Sequence, residues 1–411
     1  MMMKCFSSVI VCLVVCLVFC LFALGCLADK RGDVTAVDLP DVKGANMAMS
    51  LDLYRRLSVS AKDNFVFSPH SIMNTLGMLQ MGAAGETAAE ISRVLRAPVD
   101  KAAAGSWFNA YQAGFAFLET ADAVTWHNPR RIWAQDGYPV LTSFKKEVRE
   151  RFNASITPAD FRNQPENSRH LINAWIYDQS QKQLENAIAE GAIDPLTRMV
   201  LVDIVYFYSQ WAYPFDPELT DNMPFYVNET TPRKVPMMRQ ASQFPYMETP
   251  DIKALLLPYK QTDIGLLILL PKKQNRLSDV AADLSVMGLK QTLASLAPTE
   301  VQVFLPKYRL ESRLTLSDHL QTMGMRSAFG READFSGISS AKDLYLSAVL
   351  QSATIDVDEA GTEAAAATTA VVAMKTSLAQ RRFFRADHPF MFALVNRRLE
   401  QILFMGRVVD P

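Results

Sequence analysis

The stretch Asp356–Pro389, DVDEAGTEAAAATTAVVAMKTSLAQRRFFRADHP, carries the strongest structural signal in this 411-residue chain. Its middle part favours two local structures at once. Four consecutive alanines, Ala364–Ala367, favour helix, whereas the Thr and Val residues that follow them favour strand. A segment that supports two structures is a candidate conformational switch.

As a strand, this segment presents one face of small or apolar side chains, because alternate residues of a strand point to the same side. That face consists of Thr362, Ala364, Ala366, Thr368, Ala370, Val372 and Met374. Such a face could enter between two neighbouring strands without steric conflict, while Glu363 lies on the opposite, water-accessible face. The alternative is an alanine-rich linker or an ordinary surface loop.

Residues 358–368, DEAGTEAAAAT, resemble the hinge of the serpins, the serine protease inhibitors. The segments Asp387–Phe392 (DHPFMF) and Ile402–Val408 (ILFMGRV) are also similar to that family. The resemblance covers nearly all of the chain after its N-terminal segment. It implies an α+β domain of serpin fold, with a large central β-sheet, further sheets, about nine helices and an exposed reactive-centre loop at about residues 359–386. The implied hinge residues are Glu359, Gly361, Thr362, Glu363, Ala364, Ala365, Ala366, Ala367 and Thr368.

Composition indicates a folded protein, since 49% of the residues are hydrophobic and 21% are charged. The formal net charge of −1 gives no reason to expect nucleic acid or an anionic membrane surface as a partner. There are no internal repeats, so we expect one domain over residues 29–411.

The first 28 residues differ from the rest of the chain. Lys4 precedes an apolar run, Val9–Leu24, and the small residues Gly25 and Ala28 follow it. This pattern predicts a secretory signal peptide over residues 1–28, with an uncleaved membrane anchor as the alternative. All five cysteines lie within this segment, so the mature chain has no cysteine for disulfide or thiol chemistry.

Two sequons, at Asn153 and Asn228, are candidate glycosylation sites in a secreted protein. Each has the form Asn-X-Ser/Thr, with Ala154-Ser155 after the first and Glu229-Thr230 after the second.

Periodicity and flanking residues predict several elements along the chain. Residues 44–59 have the apolar spacing of an amphipathic helix. An apolar strand at Asn64–Phe67 ends at Ser68-Pro69, where Ser68 is a natural helix cap and Pro69 fits the first helical position. Further predicted strands lie at residues 128–134, 199–207, 254–259, 264–270 and 301–307, and further helices at residues 171–176 and 316–325.

The resemblance assigns a sheet-opening role to Ser68, Ser71, Asp203, Trp211 and Gln351. Trp211 is placed where the loop would begin to insert. This chain has Asp203 where the family usually has Asn, and Gln351 where it usually has His. A carboxylate can accept a hydrogen bond from an amide, so the pair could still bond, whereas a buried and unpaired Asp would be costly. The change therefore bears on how readily the sheet opens and not on the fold.

No pattern of enzyme chemistry is present in the sequence. The five histidines lack metal-ligand spacing, and no His-Glu-x-x-His occurs. No Gly-x-Ser-x-Gly nucleophile elbow occurs either. We therefore expect no catalytic residues, no metal and no cofactor.

By resemblance, the bond cleaved by the target protease lies about sixteen residues beyond Glu359, which gives Lys375-Thr376. A trypsin-like serine protease accepts Lys beside the cleaved bond through charge pairing in its specificity pocket. The implied mechanism is that of a suicide substrate, in which the cleaved loop inserts into the sheet and traps the acyl-enzyme. The covalently bound protease would be the partner, and the inhibitor a monomer.

Three alternatives accompany this interpretation. Arg381 and Arg382 offer a second tryptic target, so the chain could be cleaved there as a substrate. A non-inhibitory serpin, acting as carrier or chaperone, is another reading, although such members usually have bulky or charged hinge residues. The basic cluster Lys145, Lys146, Arg149 and Arg151 is interpreted as a solvated face and not as a site for heparin-type glycosaminoglycan.

Overall fold

The computed structural model describes residues 42–119, 124–180, 182, 184–228, 230–274, 276–340, 343–361 and 382–411. Within these residues nine α-helices form. They are α1 (Val42–Ser60), α2 (Pro69–Gly82), α3 (Gly85–Leu95), α4 (Lys101–Ala113), α5 (Thr142–Phe152), α6 (Pro165–Gln179), α7 (Leu277–Asp283), α8 (Val286–Ser295) and α9 (Ser317–Thr322). Short 3₁₀ turns lie at Ala116–Glu119, Pro217–Leu219 and Ser327–Phe329.

Fifteen strands form in the same part of the chain. They are β1 (Phe65–Phe67), β2 (Val124–His127), β3 (Arg130–Gln135), β4 (Ser155–Ala159), β5 (Met199–Ser209), β6 (Asp221–Asn228), β7 (Thr231–Glu248), β8 (Ile252–Pro258), β9 (Ile264–Pro271), β10 (Ala297–Pro306), β11 (Tyr308–Thr315), β12 (Ala348–Val357), β13 (Arg382–Arg385), β14 (Phe390–Asn396) and β15 (Gln401–Val408).

The strands form two sheets. The larger has the order β1-β15-β14-β9-β8-β7-β10-β13, and β6 pairs with β7 beside this path. The second sheet has the order β11-β12-β5-β3-β4, and β2 pairs with β5 as well. Mixed sheets packed with helices confirm the α+β fold that the sequence predicts.

The centre of the larger sheet is buried on both faces. Every residue of β9, β14 and β15 is buried, and β14 pairs antiparallel with both β9 and β15. Strands covered on both sides do not alternate between apolar and polar residues. The polar or charged residues of these three strands are Asn396, Gln401 and Arg407, and all three are buried.

Helix α6 covers the second sheet. Its Ile172 and Ile176 pack in one cluster with Val200 and Val202 of β5 and with Trp133 of β3. Burial of a Val, Leu or Ile side chain contributes about 1.5–3 kcal/mol, so this cluster holds α6 firmly on β3 and β5.

The β1–α2 junction has the predicted geometry. Pro69 begins α2, and the Ser68 hydroxyl accepts a hydrogen bond from the Ser71 amide at 3.2 Å. All residues of α2 are buried, so its polar side chains need partners within the protein. Asn74 Nδ2, for example, donates to the His70 carbonyl at 2.9 Å.

Two predicted boundaries were wrong. The strand predicted at residues 128–134 begins only at Arg130, the first residue of β3, because Pro129 has no N–H to donate to the ladder and separates β3 from β2, which ends at His127. The helix predicted to reach Met325 ends at Thr322, because Gly324 adopts φ +113°, a conformation that stops helices.

In the part of the chain that the structure describes, no helix has both the length and the apolar character needed to cross a membrane.

Candidate functional site

The candidate site lies between the two central strands of the second sheet. β5 and β12 run parallel and pair directly, from Ala348 opposite Val200 to Thr354 opposite Tyr206. β11 pairs antiparallel with the other edge of β12, and β3 pairs antiparallel with the other edge of β5. The β5–β12 ladder is therefore the parallel contact at the middle of this sheet. Parallel pairing is slightly less stable per residue than antiparallel pairing.

The chain reverses direction immediately after β12. The Asp358 carboxylate accepts hydrogen bonds from the amides of Ala360 at 2.9 Å and Gly361 at 3.1 Å, which fixes a tight turn. Gly361 then forms an antiparallel bridge with Gln210, next to the end of β5. The last described hinge residue thus already runs opposite to β5.

Trp211 holds this turn. Its amide donates to the Ala360 carbonyl at 3.1 Å, and its indole Nε1 donates to the Asp358 carbonyl at 2.9 Å. The ring is buried and stacks on Tyr259, with centroids 4.5 Å apart. The structure therefore places Trp211 at the beginning of the hinge and not beside Asp203.

Gly361 approaches β5 so closely that a side chain has no room. A Cβ atom there would lie 2.2 Å from the Ser209 carbonyl oxygen and 2.7 Å from Gln210 Cα. Backbone atoms cannot move aside as a flexible side chain can, so glycine is required by this contact.

The Glu359 carboxylate ties the hinge to the connection between β10 and β11. It lies 2.6 Å from Lys307 Nζ and accepts a hydrogen bond from the Thr220 hydroxyl at 2.8 Å. Burial raises the pKa of Glu359, but the hydrogen bonds from Lys307 and Thr220 outweigh burial, so its pKa lies below the ordinary value. Glu359 is thus ionised at neutral pH and holds the hinge through charge-assisted bonds.

The Asp203–Gln351 pair bridges β5 and β12 midway along their ladder. Gln351 Nε2 donates to Asp203 Oδ2 at 2.7 Å, and Gln351 Oε1 accepts from the Ser68 amide at 2.9 Å. The Ser71 hydroxyl donates to Asp203 Oδ1. The structure therefore brings Ser68, Ser71, Asp203 and Gln351 into one network, with Asp203 and Gln351 each 1% exposed.

A buried cation balances the Asp203 charge. Arg130 Nε lies 3.7 Å from Asp203 Oδ1, and the Arg130 side chain is 9% exposed. Asn128 Nδ2 also donates to Asp203 Oδ1 at 3.0 Å. An isolated carboxylate at this depth would be strongly unfavourable, so Arg130 and Asn128 are what make Asp203 tolerable in place of a neutral residue.

Sequence reasoning missed four residues of this site: Asn128, Arg130, Thr220 and Lys307. The sequence carries a signal for the first two, since polar Asn128 and Arg130 flank a proline next to an apolar strand. Lys307 and Thr220 are distant from Glu359 in the chain, and only the folded sheet brings them to it.

Several predicted site residues lie outside the described residues. These are Thr362, Glu363, Ala364, Ala365, Ala366, Ala367, Thr368, Lys375, Thr376 and Arg381. Asn153 and Asn228 lie within the described residues, and both are exposed.

Of the histidines, His70 and His388 are buried and His170 is exposed. Burial lowers the pKa of His70 far below its usual value, and the Arg130 charge adds to this effect.

The sequence model of one protein family, described as Serpin (serine protease inhibitor), matches residues 44–411. The leukocyte elastase inhibitor of Bos taurus is 34% identical over 91% of this chain and 100% of its own. Serpin48 from the insect Tenebrio molitor, described as a highly specific serpin, has a solved structure with a TM-score of 0.80 and 30% identity, over 92% of this chain and 100% of that one. Human thyroxine-binding globulin in complex with thyroxine has a TM-score of 0.81 and 28% identity, over 90% of this chain and 99% of that one.

Proposed function

Because the chain belongs to the serpin family, we propose that it is a secreted inhibitor of trypsin-like serine proteases that acts as a suicide substrate. The proposal takes Lys375-Thr376 as the bond that the protease attacks. Relatives include both an inhibitor, of leukocyte elastase by its name, and a globulin that binds thyroxine. Inhibition is favoured over carriage because the hinge has small residues on the face that would enter the sheet.

The observation that carries the proposal is the direct parallel pairing of β5 with β12, followed at once by the reversed chain at Gly361. A strand that continues from Gly361 between β5 and β12 would run antiparallel to both. One parallel ladder would be replaced by two antiparallel ladders. Every backbone group of the new strand would gain a partner, and the sheet would become more stable.

In the proposed reaction the protease serine attacks the Lys375 carbonyl carbon. The Lys375–Thr376 bond breaks, Thr376 leaves with a free amine, and an acyl-enzyme forms on Lys375. The freed segment from Gly361 to Lys375 inserts as a strand and carries the protease across the sheet. Fifteen strand residues span roughly 50 Å. The displaced protease is distorted before water can release it, so the intact fold acts as a store of free energy.

The remaining parts of the proposal follow from the sequence. Residues 1–28 have the pattern of a secretory leader, and Asn153 and Asn228 are sequons at exposed positions. We propose a monomer that needs no cofactor and carries glycan at these two sites.

A Lys375→Ala substitution tests the specificity. The variant should lose inhibition of trypsin-class enzymes, because the charge that their specificity pocket binds is absent. Sequencing the C-terminal peptide released from the unmodified chain should give Thr376 as its first residue. A peptide that begins at Arg382 or Phe383 would place the cleaved bond after Arg381 or Arg382 and refute the Lys375 assignment.

A Thr362→Arg substitution tests insertion. Arg on the inward face should stall the strand, so the protease would cleave the variant and leave it. Glu363→Arg is the matched control, since it places the same side chain on the opposite face, and it should still trap the protease. Denaturing gels of both variants with trypsin measure this. A covalent complex that forms equally with both variants contradicts insertion, and cleavage without any complex in the unmodified chain supports the carrier alternative.

A further inference from the structure

Strand β13 forms the C-terminal end of the proposed reactive-centre loop and is part of the larger sheet. It pairs parallel with β10, from Arg382 opposite Val301 to Arg385 opposite Phe304. The Ala386 amide donates to the Phe304 carbonyl at 2.9 Å, so the pairing continues to the residue after the strand. Arg382, which belongs to the second tryptic target, is therefore the first residue of a paired strand.

The side chains of β13 anchor the strand to the protein on both faces, because successive residues of a strand point to opposite sides. Phe384 is fully buried, whereas Phe383 is 50% exposed. The Arg385 guanidinium lies over the Phe304 ring at 4.6 Å from the ring centroid. Truncation of a fully buried Phe is among the most destabilising changes in a protein core, so Phe384 is the main anchor of β13.

Charged side chains from two other strands hold the beginning of β13. Lys253 Nζ donates to the Phe383 carbonyl at 2.8 Å. Arg382 Nη1 lies 4.0 Å from Glu248 Oε2. Glu248 is itself fixed in place, since Lys272 Nζ lies 2.6 Å from Glu248 Oε1. The main chain and the side chain at the Arg382–Phe383 bond therefore both have partners within the protein.

This arrangement opposes cleavage after Arg382. A trypsin-like protease must bring its serine to the Arg382 carbonyl carbon and take the Arg382 side chain into its specificity pocket. Arg382 and the residues after it are paired with β10, and Phe384 lies in the core. The strand must therefore leave the sheet and expose Phe384 before the enzyme can bind. When such opening is fast and reversible, the rate of cleavage follows the small population of the opened form.

We propose that β13 shields the Arg382–Phe383 bond from trypsin-like proteases and so directs them to the preceding part of the loop. Phe384, Lys253 and Glu248 determine this choice by holding β13 in the sheet. The inference rests on the proposed function and deepens it, because it explains how one tryptic target of the loop is preferred over another.

The test uses the full chain with Lys375→Ala and Arg381→Gln as a background. In that background Arg382 is the only basic residue between Gly361 and Phe383. A limiting amount of trypsin is added to the folded protein, and samples are denatured at intervals. Mass spectrometry then measures how fast the C-terminal fragment that begins at Phe383 is formed.

Two neighbouring phenylalanines supply the variant and its matched control. Phe384→Ala in this background should speed formation of the fragment by at least about tenfold, because the strand loses its buried anchor and opens more often. Phe383→Ala removes the same side chain from the exposed face and should change the rate by less than about twofold. Equal rates for the background protein and both variants would overturn the proposal.

If Phe384→Ala does not fold, the charged contacts decide the question. Lys253→Met and Glu248→Gln should each raise the rate about threefold, as expected for contacts at the surface. Lys273→Met removes a charge from a nearby exposed position and should leave the rate unchanged. Rates that rise equally in Lys253→Met and Lys273→Met, or in neither, would refute the shield. A failure of the proposed function would show separately, as the absence of a covalent complex between trypsin and the unmodified chain.

Discussion

Replacement of Gln351 by Met should weaken the closed form of the second sheet selectively. Gln351 connects β12 to Asp203 on β5 and to the backbone at Ser68. Met has a similar volume and no hydrogen-bonding amide, so packing is retained while these bonds are lost. A strand inserted between β5 and β12 would separate Gln351 from Asp203. The substitution should therefore cost less in the cleaved, inserted protein.

The magnitude follows from the bonds removed. The Gln351–Asp203 bond at 2.7 Å involves an ionised carboxylate, and such a bond contributes about 1.5–3 kcal/mol. The Ser68 amide loses its acceptor at a further cost of about 1 kcal/mol. Asp203 keeps Ser71, Asn128 and Arg130, so we expect a total of about 3 kcal/mol. With an unfolding entropy of about 2.1 cal/mol/K per residue over roughly 370 residues, this lowers the melting temperature by about 4 °C.

The assay is thermal unfolding, followed by circular dichroism, of unmodified and Gln351→Met protein in two forms. One form is intact. The other has been cut in the loop by a metalloprotease, which forms no acyl-enzyme and so leaves free cleaved protein. The intact variant should lose about 4 °C, and the cleaved variant less than half of that. An equal loss in both forms, or none in the intact form, would refute the assignment of this network to the closed sheet.

Three further predictions concern the hinge and the buried ion pair. The pKa of Glu359 is lowered in the fold, so the contribution of Glu359 to stability is fully present above about pH 4.5 and is lost as the pH falls through the lowered value. A Glu359→Gln substitution should therefore make the melting temperature less sensitive to acid. Identical profiles of melting temperature against pH for the variant and the unmodified protein would count against this. Gly361→Val places a side chain against the end of β5, next to the hydrogen bond from the Trp211 amide to the Ala360 carbonyl. The Trp211 amide should therefore exchange its hydrogen faster, as measured by mass spectrometry or NMR. Unchanged protection of this amide would be inconsistent with the contact. Arg130→Met leaves Asp203 as a buried carboxylate without its cation and should lower the free energy of unfolding, measured in urea, by about 3–5 kcal/mol. Adding Asp203→Asn to this variant should recover part of that loss. If the effects of the two substitutions on the free energy of unfolding were strictly additive, the ion pair would be contradicted.

Local sequence patterns predicted the elements whose signals are themselves local. The Ser68-Pro69 cap, the amphipathic first helix and the apolar strands at residues 199–207 and 264–270 all formed where expected. β11 was overlooked, although its residues alternate between buried and more exposed positions. β7 carries several polar residues and three prolines, and its 18-residue extent arises from pairing with β6 and β10, which no local pattern encodes.

The candidate site was only partly predictable, for the same reason. The resemblance named Asp203 and Gln351 but left their compatibility undecided. The structure answers that question through Arg130 and Asn128, which lie more than 70 positions from Asp203 along the chain. Long-range electrostatic compensation of this kind depends on which strands are neighbours. The β3–β5 register, in which Arg130 faces Asp203, is a property of the folded sheet.

The comparison of melting temperatures between intact and loop-cleaved unmodified protein tests the central claim most directly. Insertion of the cleaved loop would replace the β5–β12 parallel ladder by two antiparallel ones, so the cleaved protein should unfold at a clearly higher temperature than the intact protein. A cleaved form that unfolds at the same or a lower temperature would mean that no free energy is stored in the intact fold, and the proposed inhibitory mechanism would be wrong.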